Sequence, residues 1–349
     1  MKDAGIVLLK GNEILELFRN RESEITEALK SAYMTHAGGL SSLPHSSFLR
    51  FPDNERDRII ALPAYLGGES DIAGIKWISS FPANLERGME RASALLILNS
   101  TDTGRPKAIL ESSVISSGRT AASAALAAHC LRGDMPVETV GMIGCGLINF
   151  ETLRFLLLAR SEIRSLLIYD LSTERAEQFE HRCRLLSEKI EISVLKDPEA
   201  VFRESSVTAL ATTAAKPHIS DISACDADDV ILHTSLRDLS PEIILSADNV
   251  VDDTDHVCRA QTSVHLAEQM AGNRDFVRCT LGDILNGDAQ PRQPGKPVIF
   301  SPFGLGILDL ALGRLACELA AEKDIGTVID SFFPSPLKVE SGKRKGKHL

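Results

Sequence analysis

The chain has 349 residues, enough at about 150 per domain for two domains that each bury a core. Hydrophobic residues make up 44% and charged residues 25%, a globular balance that excludes disorder and fibrous repeats. Lys and Arg number 38 against 48 Asp and Glu, and the net charge of −10 argues against nucleic-acid or anionic-membrane surfaces, leaving small molecules as the expected partners.

The opening segment, Met1 to Phe18, has one short apolar run, Ile6 to Leu9, which predicts a strand followed by a helix rather than a signal peptide. Runs at Arg58 to Leu62, Ile72 to Ser79 and Ala94 to Asn99 are separated by polar turns such as Asn99-Ser100-Thr101-Asp102-Thr103-Gly104, and predict an antiparallel sheet. An Ala-rich helix follows over Arg119 to Leu131. From Pro136 to Gln290, short apolar runs alternate with helix-compatible stretches, at Val137 to Ile143, Ser165 to Tyr169, Val207 to Thr212, Val230 to Thr234 and Asn249 to Asp252. A helix over Asn149 to Arg160 joins the first two, and the pattern is that of parallel strands buried on both faces. The helix Gly306 to Lys323 is too short to stand alone and is expected to return to the first sheet.

The expected architecture is α/β. A Rossmann-type, doubly wound parallel sheet occupies 121–299, and a second, α+β domain with a largely antiparallel sheet is built from 1–120 and 300–338. Residues 339–349 form a basic, solvated tail. No apolar run approaches the roughly 18 residues of a membrane span. The seven cysteines, Cys130, Cys145, Cys183, Cys225, Cys258, Cys279 and Cys317, contain no C-x-x-C pair, which disfavours zinc and disulfides and fits a reducing cytoplasm. No metal is expected.

The segment Ile143-Gly144-Cys145-Gly146-Leu147-Ile148-Asn149 places G-x-G after a strand and before a helix, the context of dinucleotide binding. Gly144 makes the tight turn, Gly146 lets the backbone approach a pyrophosphate, and the following helix N-terminus supplies free N–H groups. Asn149 stands where a third glycine is usual. Asp170, 26 residues after Gly144, ends the second strand, where a carboxylate accepts both ribose hydroxyls and repels a 2′-phosphate. NAD is therefore expected over NADP, with Arg175 nearby complicating the choice.

Three segments, Gly74-Ile75-Lys76-Trp77, Ser117-Gly118-Arg119-Thr120-Ala121-Ala122 and Ile143-Gly144-Cys145-Gly146, resemble the ornithine cyclodeaminase and mu-crystallin family. The resemblance runs from about Leu43 to Leu310. Within the family, Asp57-Arg58-Ile59-Ile60-Ala61-Leu62-Pro63, Gly67-Gly68 and Met89-Glu90-Arg91-Ala92-Ser93 are similar to the branch that acts on N-(2-amino-2-carboxyethyl)-L-glutamate, a source of 2,3-diaminopropionate for siderophores and peptide antibiotics.

The resemblance implies that Lys76, Arg119 and Arg50 hold a substrate α-carboxylate beside the nicotinamide, and that Asp238 is the catalytic acid or base, with Lys76 second. The implied cofactor set is Arg119, Thr120, Gly144, Cys145, Gly146, Leu147, Ile148, Asp170, Thr212 and Leu236. It also implies a homodimer. Arg50, Arg58, Lys76, Arg91 and Arg119 together suit a substrate with several carboxylates. Cyclodeaminases carry an acid where this chain has Ile60, and their late Asp-Ser-x-Gly-like segment is here Ser301-Pro302-Phe303-Gly304. Bland alternatives stand beside these roles: Arg58 and Arg91 as surface ion-pair partners, Asp238 as cap of the helix at Ser240-Pro241-Glu242, and His45, His218 and His233 as structural histidines. Ornithine or lysine cyclodeaminase, ketimine reductase and a non-catalytic NAD(P)-dependent binder remain open as functions.

Overall fold

Period-two alternation and a run of doubly buried strands resolve into two eight-stranded sheets in the computed structural model, which describes residues 5–334. The expected basic tail at 339–349 lies outside the described residues. The first sheet holds β1 (Ile6–Leu9), β2 (Ser41–Ser42), β3 (Ser47–Phe51), β4 (Asn54–Leu66), β5 (Ile72–Ser80), β6 (Ala92–Asn99) and β7 (Pro106–Glu111). Its pairings are antiparallel except for β1 with β7.

The second sheet is parallel throughout and holds β8 (Thr139–Ile143), β9 (Ser165–Tyr169), β10 (Glu191–Val194), β11 (Val207–Leu210), β12 (Val230–His233), β13 (Asp248–Val251), β14 (Val277–Thr280) and β15 (Val298–Ser301). Strand β16 (Thr327–Ile329) returns to the first sheet beside β1. The second sheet runs β10-β9-β8-β11-β12-β15-β13-β14. Its order reverses between β8 and β11, and the glycine loop leaves β8 at that switch point, where open α/β sheets bind ligands.

Strands β10, β14 and β15 are absent from the sequence expectation. β10 is largely exposed and carries no continuous apolar run. β15 is fully buried, but it follows a Pro- and Gly-rich stretch at 291–297 that reads as the end of the parallel block.

The helix Ser113–Arg132 is longer than the predicted Arg119 to Leu131 and crosses the expected boundary at 120/121. Its buried run Ala121 to Ala128 lets backbone and neighbours approach closely, and one continuous core joins Leu96 and Leu110 of the first sheet to Val140 and Met142 of the second through it. The helix Gly306–Lys323 returns to pack against the first sheet as expected, with Gly313 lying beside Leu96 and Leu98 of β6. Among the described residues no helix is long and apolar enough to cross a membrane. All seven cysteines are free thiols.

Candidate active site

The cofactor loop follows from its residue types. Gly144 adopts φ 94°, and a Cβ there would sit 2.5 Å from the Ala211 carbonyl oxygen, so only glycine makes this turn against β11. Gly146 differs: its φ of −111° suits any residue, and a Cβ would meet nothing within 4 Å. Glycine there leaves open room at an uncapped helix N-terminus, the helix Leu147–Ala159 having no side-chain cap. That is the cradle a pyrophosphate needs.

Asn149 is fully buried, and its amide nitrogen donates to the carbonyls of Gly144 (2.8 Å), Ile143 (3.1 Å) and Ala209 (3.3 Å). It pins the loop to both flanking strands, so the departure from a third glycine keeps the turn. Asp170 accepts from the Cys145 backbone N–H at 2.8 Å and the Ser172 N–H at 2.9 Å, placing its carboxylate at the β9 terminus beside the loop. Arg175 is exposed. Burial pushes the Cys145 thiol up to about 12, so it stays protonated. These residues fit a dinucleotide with an unphosphorylated ribose.

Beyond β12, Leu236 takes φ 66° and turns the chain so that Asp238 points inward. Its carboxylate is 0% exposed and accepts from Thr212 Oγ1 and Ser235 Oγ, with His218 Nε2 at 3.2 Å and His233 Nε2 at 3.4 Å. Burial pushes this carboxyl up, but the proximity of His233, whose Nε2 also accepts the Asp238 backbone N–H, and the hydrogen bonds from Ser235 and Thr212 outweigh burial and hold it well below the usual carboxylate range. Asp238 is not the helix cap that the sequence allows: Ser240 is, accepting from the Ile243 N–H. His233 is buried, with Nδ1 3.3 Å from Ser301 Oγ, while His218 is half exposed. His45 lies apart, its ring against that of His256.

Alternation along β5 turns Lys76 inward (1% exposed) and Trp77 outward (42% exposed). Lys76 Nζ donates to Asp309 Oδ2 at 2.7 Å and Ser116 Oγ at 3.3 Å. Arg119, one helical turn after Ser116, brings Nε to 3.5 Å from Asp309 Oδ1 and lays its guanidinium over Gly304, which has no Cβ to block it. It makes no hydrogen bond among the described residues, and its buried Nε is an orphan donor. Burial, opposed by Asp309 and assisted by Arg119, lowers Lys76 to about 8. Asp252 accepts from the Phe303 and Gly304 N–H groups and so fixes the loop beneath Arg119. Asp309 is a member of this cluster that sequence reasoning missed. It sits in the first turn of an otherwise apolar, buried helix, and that incongruity is the only signal it gives.

Arg50 pairs with Arg58 across β3 and β4, Arg58 pairs with Ser80 of β5, and Arg91 donates to Ser80 Oγ at 3.3 Å. Among the described residues none of the three arginines forms an ion pair, so the surface salt-bridge reading of Arg58 and Arg91 does not apply. Ile60 faces Phe48 and Ile78 across the strands, an apolar step between Lys76 and the arginines. Leu147 opens the helix after the cofactor loop, and Thr120, next to Arg119 on the same helix, donates its hydroxyl to the Ser116 carbonyl.

Residues 13–324 match the model of the ornithine cyclodeaminase/mu-crystallin family. An N-((2S)-2-amino-2-carboxyethyl)-L-glutamate dehydrogenase of Staphylococcus aureus is 30% identical over 334 residues, 94% of this chain and 99% of that protein. A solved archaeal alanine dehydrogenase dimer with bound NAD is 28% identical, with a TM-score of 0.82 over 94% of this chain and 99% of that one. The Δ1-pyrroline-2-carboxylate reductase of Thermococcus litoralis, solved with NADH and L-proline, superposes with a TM-score of 0.85 over 93% and 100% at 23% identity, a likeness of fold. From its glycine loop, its paired sheets and this match over most of its length, the chain belongs to the ornithine cyclodeaminase/mu-crystallin family.

Proposed function

We propose that this NAD-dependent oxidoreductase cleaves N-(2-amino-2-carboxyethyl)-L-glutamate oxidatively to 2-oxoglutarate and L-2,3-diaminopropionate, a precursor step for siderophores or peptide antibiotics. The observation that carries the reading is that, among the described residues, Arg50, Arg58 and Arg91 form no ion pair at one end of a site whose other end already holds Lys76 and Arg119. A substrate with three carboxylates supplies the anions this arrangement lacks. The likeness to the S. aureus dehydrogenase supports the same substrate.

The glycine loop after β8 and Asp170 would hold NAD, which would supply the hydride acceptor for the glutamyl Cα. Lys76 and Arg119 hold the α-carboxylate, orienting that Cα–H toward the cofactor side of the cleft. Loss of hydride and of the amine proton gives a C=N bond, water adds to its carbon, and the C–N bond breaks with the electron pair leaving on nitrogen. Asp238, buried and kept ionised by its hydrogen bonds, accepts the protons of amine and water through His218, whose half-exposed ring adjoins it. Lys76 acts as a cation in this scheme.

A cyclodeaminase needs an anion for the distal ammonium of ornithine, and here that direction offers Ile60 and then arginines. A short neutral amino acid such as alanine leaves the arginines unused. The outer face of the first sheet exposes Trp77 (42%) and its cross-strand neighbour Leu95 (48%), with Tyr65 and Leu49 beside them. A homodimer covering this face is part of the proposal, supported by the archaeal dimer. Free thiols throughout suit a cytoplasmic location.

The test is formation of NADH and 2-oxoglutarate from NAD+ and N-(2-amino-2-carboxyethyl)-L-glutamate, with L-ornithine, L-lysine and L-alanine in parallel. NADH from the first substrate alone supports the reading. Ammonia release from ornithine or lysine without net NADH makes the protein a cyclodeaminase, and silence throughout with intact NAD binding makes it a binder.

A further inference from the structure

Arg237 does not figure in the sequence expectation, yet it lies on the loop between β12 and the helix Pro241–Ser246, near enough to Arg58 and Arg50 of the first sheet for their charges to act on one another. Its backbone neighbour Leu236 is left-handed, and its guanidinium donates to the Ala260 carbonyl at 2.7 Å. Ala260 and Gln261 are themselves left-handed, with φ 54° and 55°. Three non-glycine residues in this conformation around one side chain are a concentration of backbone strain, and such strain persists where the surrounding fold enforces a position.

The adjacent Asp238 attracts Arg237 but forms no ion pair with it, its oxygens being turned to Thr212, Ser235 and the two histidines. Burial first, and then the positive charges of Arg237, Arg91 and Arg50, disfavour the cationic form of Arg58, while burial and Arg50 act on Arg237 against the attraction of Asp238. No carboxylate lies within ion-pair distance of any of the four among the described residues. Like charges at partly buried positions repel, so the unliganded cluster is unfavourable by itself.

We propose that Arg237, carried by the cofactor-binding sheet, closes an anion subsite with Arg50, Arg58 and Arg91 of the first sheet, and that this subsite selects substrates bearing a carboxylate remote from the reacting α-carbon. The subsite lies four residues along β5 from Lys76, about 13 Å at strand spacing, a gap that the reach of the arginine side chains shortens to the length of an extended dicarboxylic amine. Arg237 is a specificity-determining residue in this scheme, and because it belongs to the other sheet the subsite is complete only when both sheets are in place. The inference rests on the reading above that the arginines face substrate.

The experiment titrates glutarate and butyrate, acids of similar length with two carboxylates and one, into the NADH-saturated protein by calorimetry. In the unaltered protein glutarate binds about 10- to 100-fold more tightly than butyrate, the range of one or two charge-assisted contacts. Arg237→Gln and, independently, Arg58→Gln abolish that preference, Arg237→Lys keeps part of it, and none of the three changes butyrate or NADH affinity. Unchanged glutarate affinity in Arg237→Gln, or equal binding of the two acids by the unaltered protein, overturns the subsite. Loss of NADH binding in Arg237→Gln makes the residue structural and also overturns it. If glutarate selection follows Arg237 while N-(2-amino-2-carboxyethyl)-L-glutamate yields no NADH, the proposed reaction fails and the subsite stands. If that substrate turns over with an unchanged KM in Arg237→Gln, the reaction stands and the subsite fails.

Discussion

Around Lys76 and Arg119 two cations share one buried carboxylate, Asp309, whereas among the described residues Arg50, Arg58, Arg91 and Arg237 form no ion pair. The first group is compensated before any ligand arrives. Its fully buried members tolerate desolvation only because Asp309 lies at 2.7 Å from Lys76. The second group is half open to solvent and carries its repulsion into the free protein, to be relieved by an anion. Folding thus dictates one end of the cleft, and binding dictates the other.

Asp309→Asn tests the compensated end and carries the largest expected effect. It leaves Lys76 facing Arg119 in the interior without a counter-charge, and a loss of about 3–5 kcal/mol of stability is expected, read as a fall in the thermal unfolding midpoint. An unchanged midpoint would show that the cluster is not held together by charge.

Asp238→Asn probes a carboxylate whose charge is stabilised by its hydrogen bonds and by His233 beside it. Turnover is expected to fall by about 10²–10⁴ while NADH affinity, measured by fluorescence, stays the same. Retained turnover would move the proton-handling role to another group.

The compensated end also sets a pH dependence. With Lys76 lowered to about 8 in the free protein, a bound carboxylate favours its protonated form, so binding above that pH takes up a proton. Affinity for 2-oxoglutarate is therefore expected to weaken by up to about tenfold per unit as pH rises above about 8, and Lys76→Met should flatten the profile. Rising affinity with pH would mean that the neutral amine is the working form.

The smallest effect sharpens the contrast. Arg58 and Arg50 are directly opposed across antiparallel strands, and like charges in that position are destabilising. Arg58→Gln is expected to stabilise the free protein by about 0.2–1 kcal/mol, by chemical denaturation, in the same variant that loses glutarate affinity. A protein weakened by this change would have its arginines paired after all.

Much of this was legible in the residues. The glycine loop, Asp170 at the end of its strand, inward-facing Lys76, and Arg119 on its Ala-rich helix all follow from local patterns, because strand alternation and the strand–turn–helix spacing act over a few neighbours. Arg50, Arg58 and Arg91 could be listed as cations but not placed, since their meeting depends on the register of β3, β4 and β5. Asp309 and Arg237 were invisible for the same reason: the partners that give them meaning, Lys76 for the one and Arg58 for the other, are far away in sequence.

The amino-acid sequence by itself determined the α/β class and the glycine loop between strand and helix, because each is written in contiguous side-chain types and spacings. Tertiary structure alone decided where the charges balance. It carried the helix Ser113–Arg132 across both sheets, slid β15 between β12 and β13, and set an acid beside Lys76 while leaving four arginines with no ion pair among the described residues. Coulombic and desolvation energies depend on distances through space, and those exist only once the chain has folded.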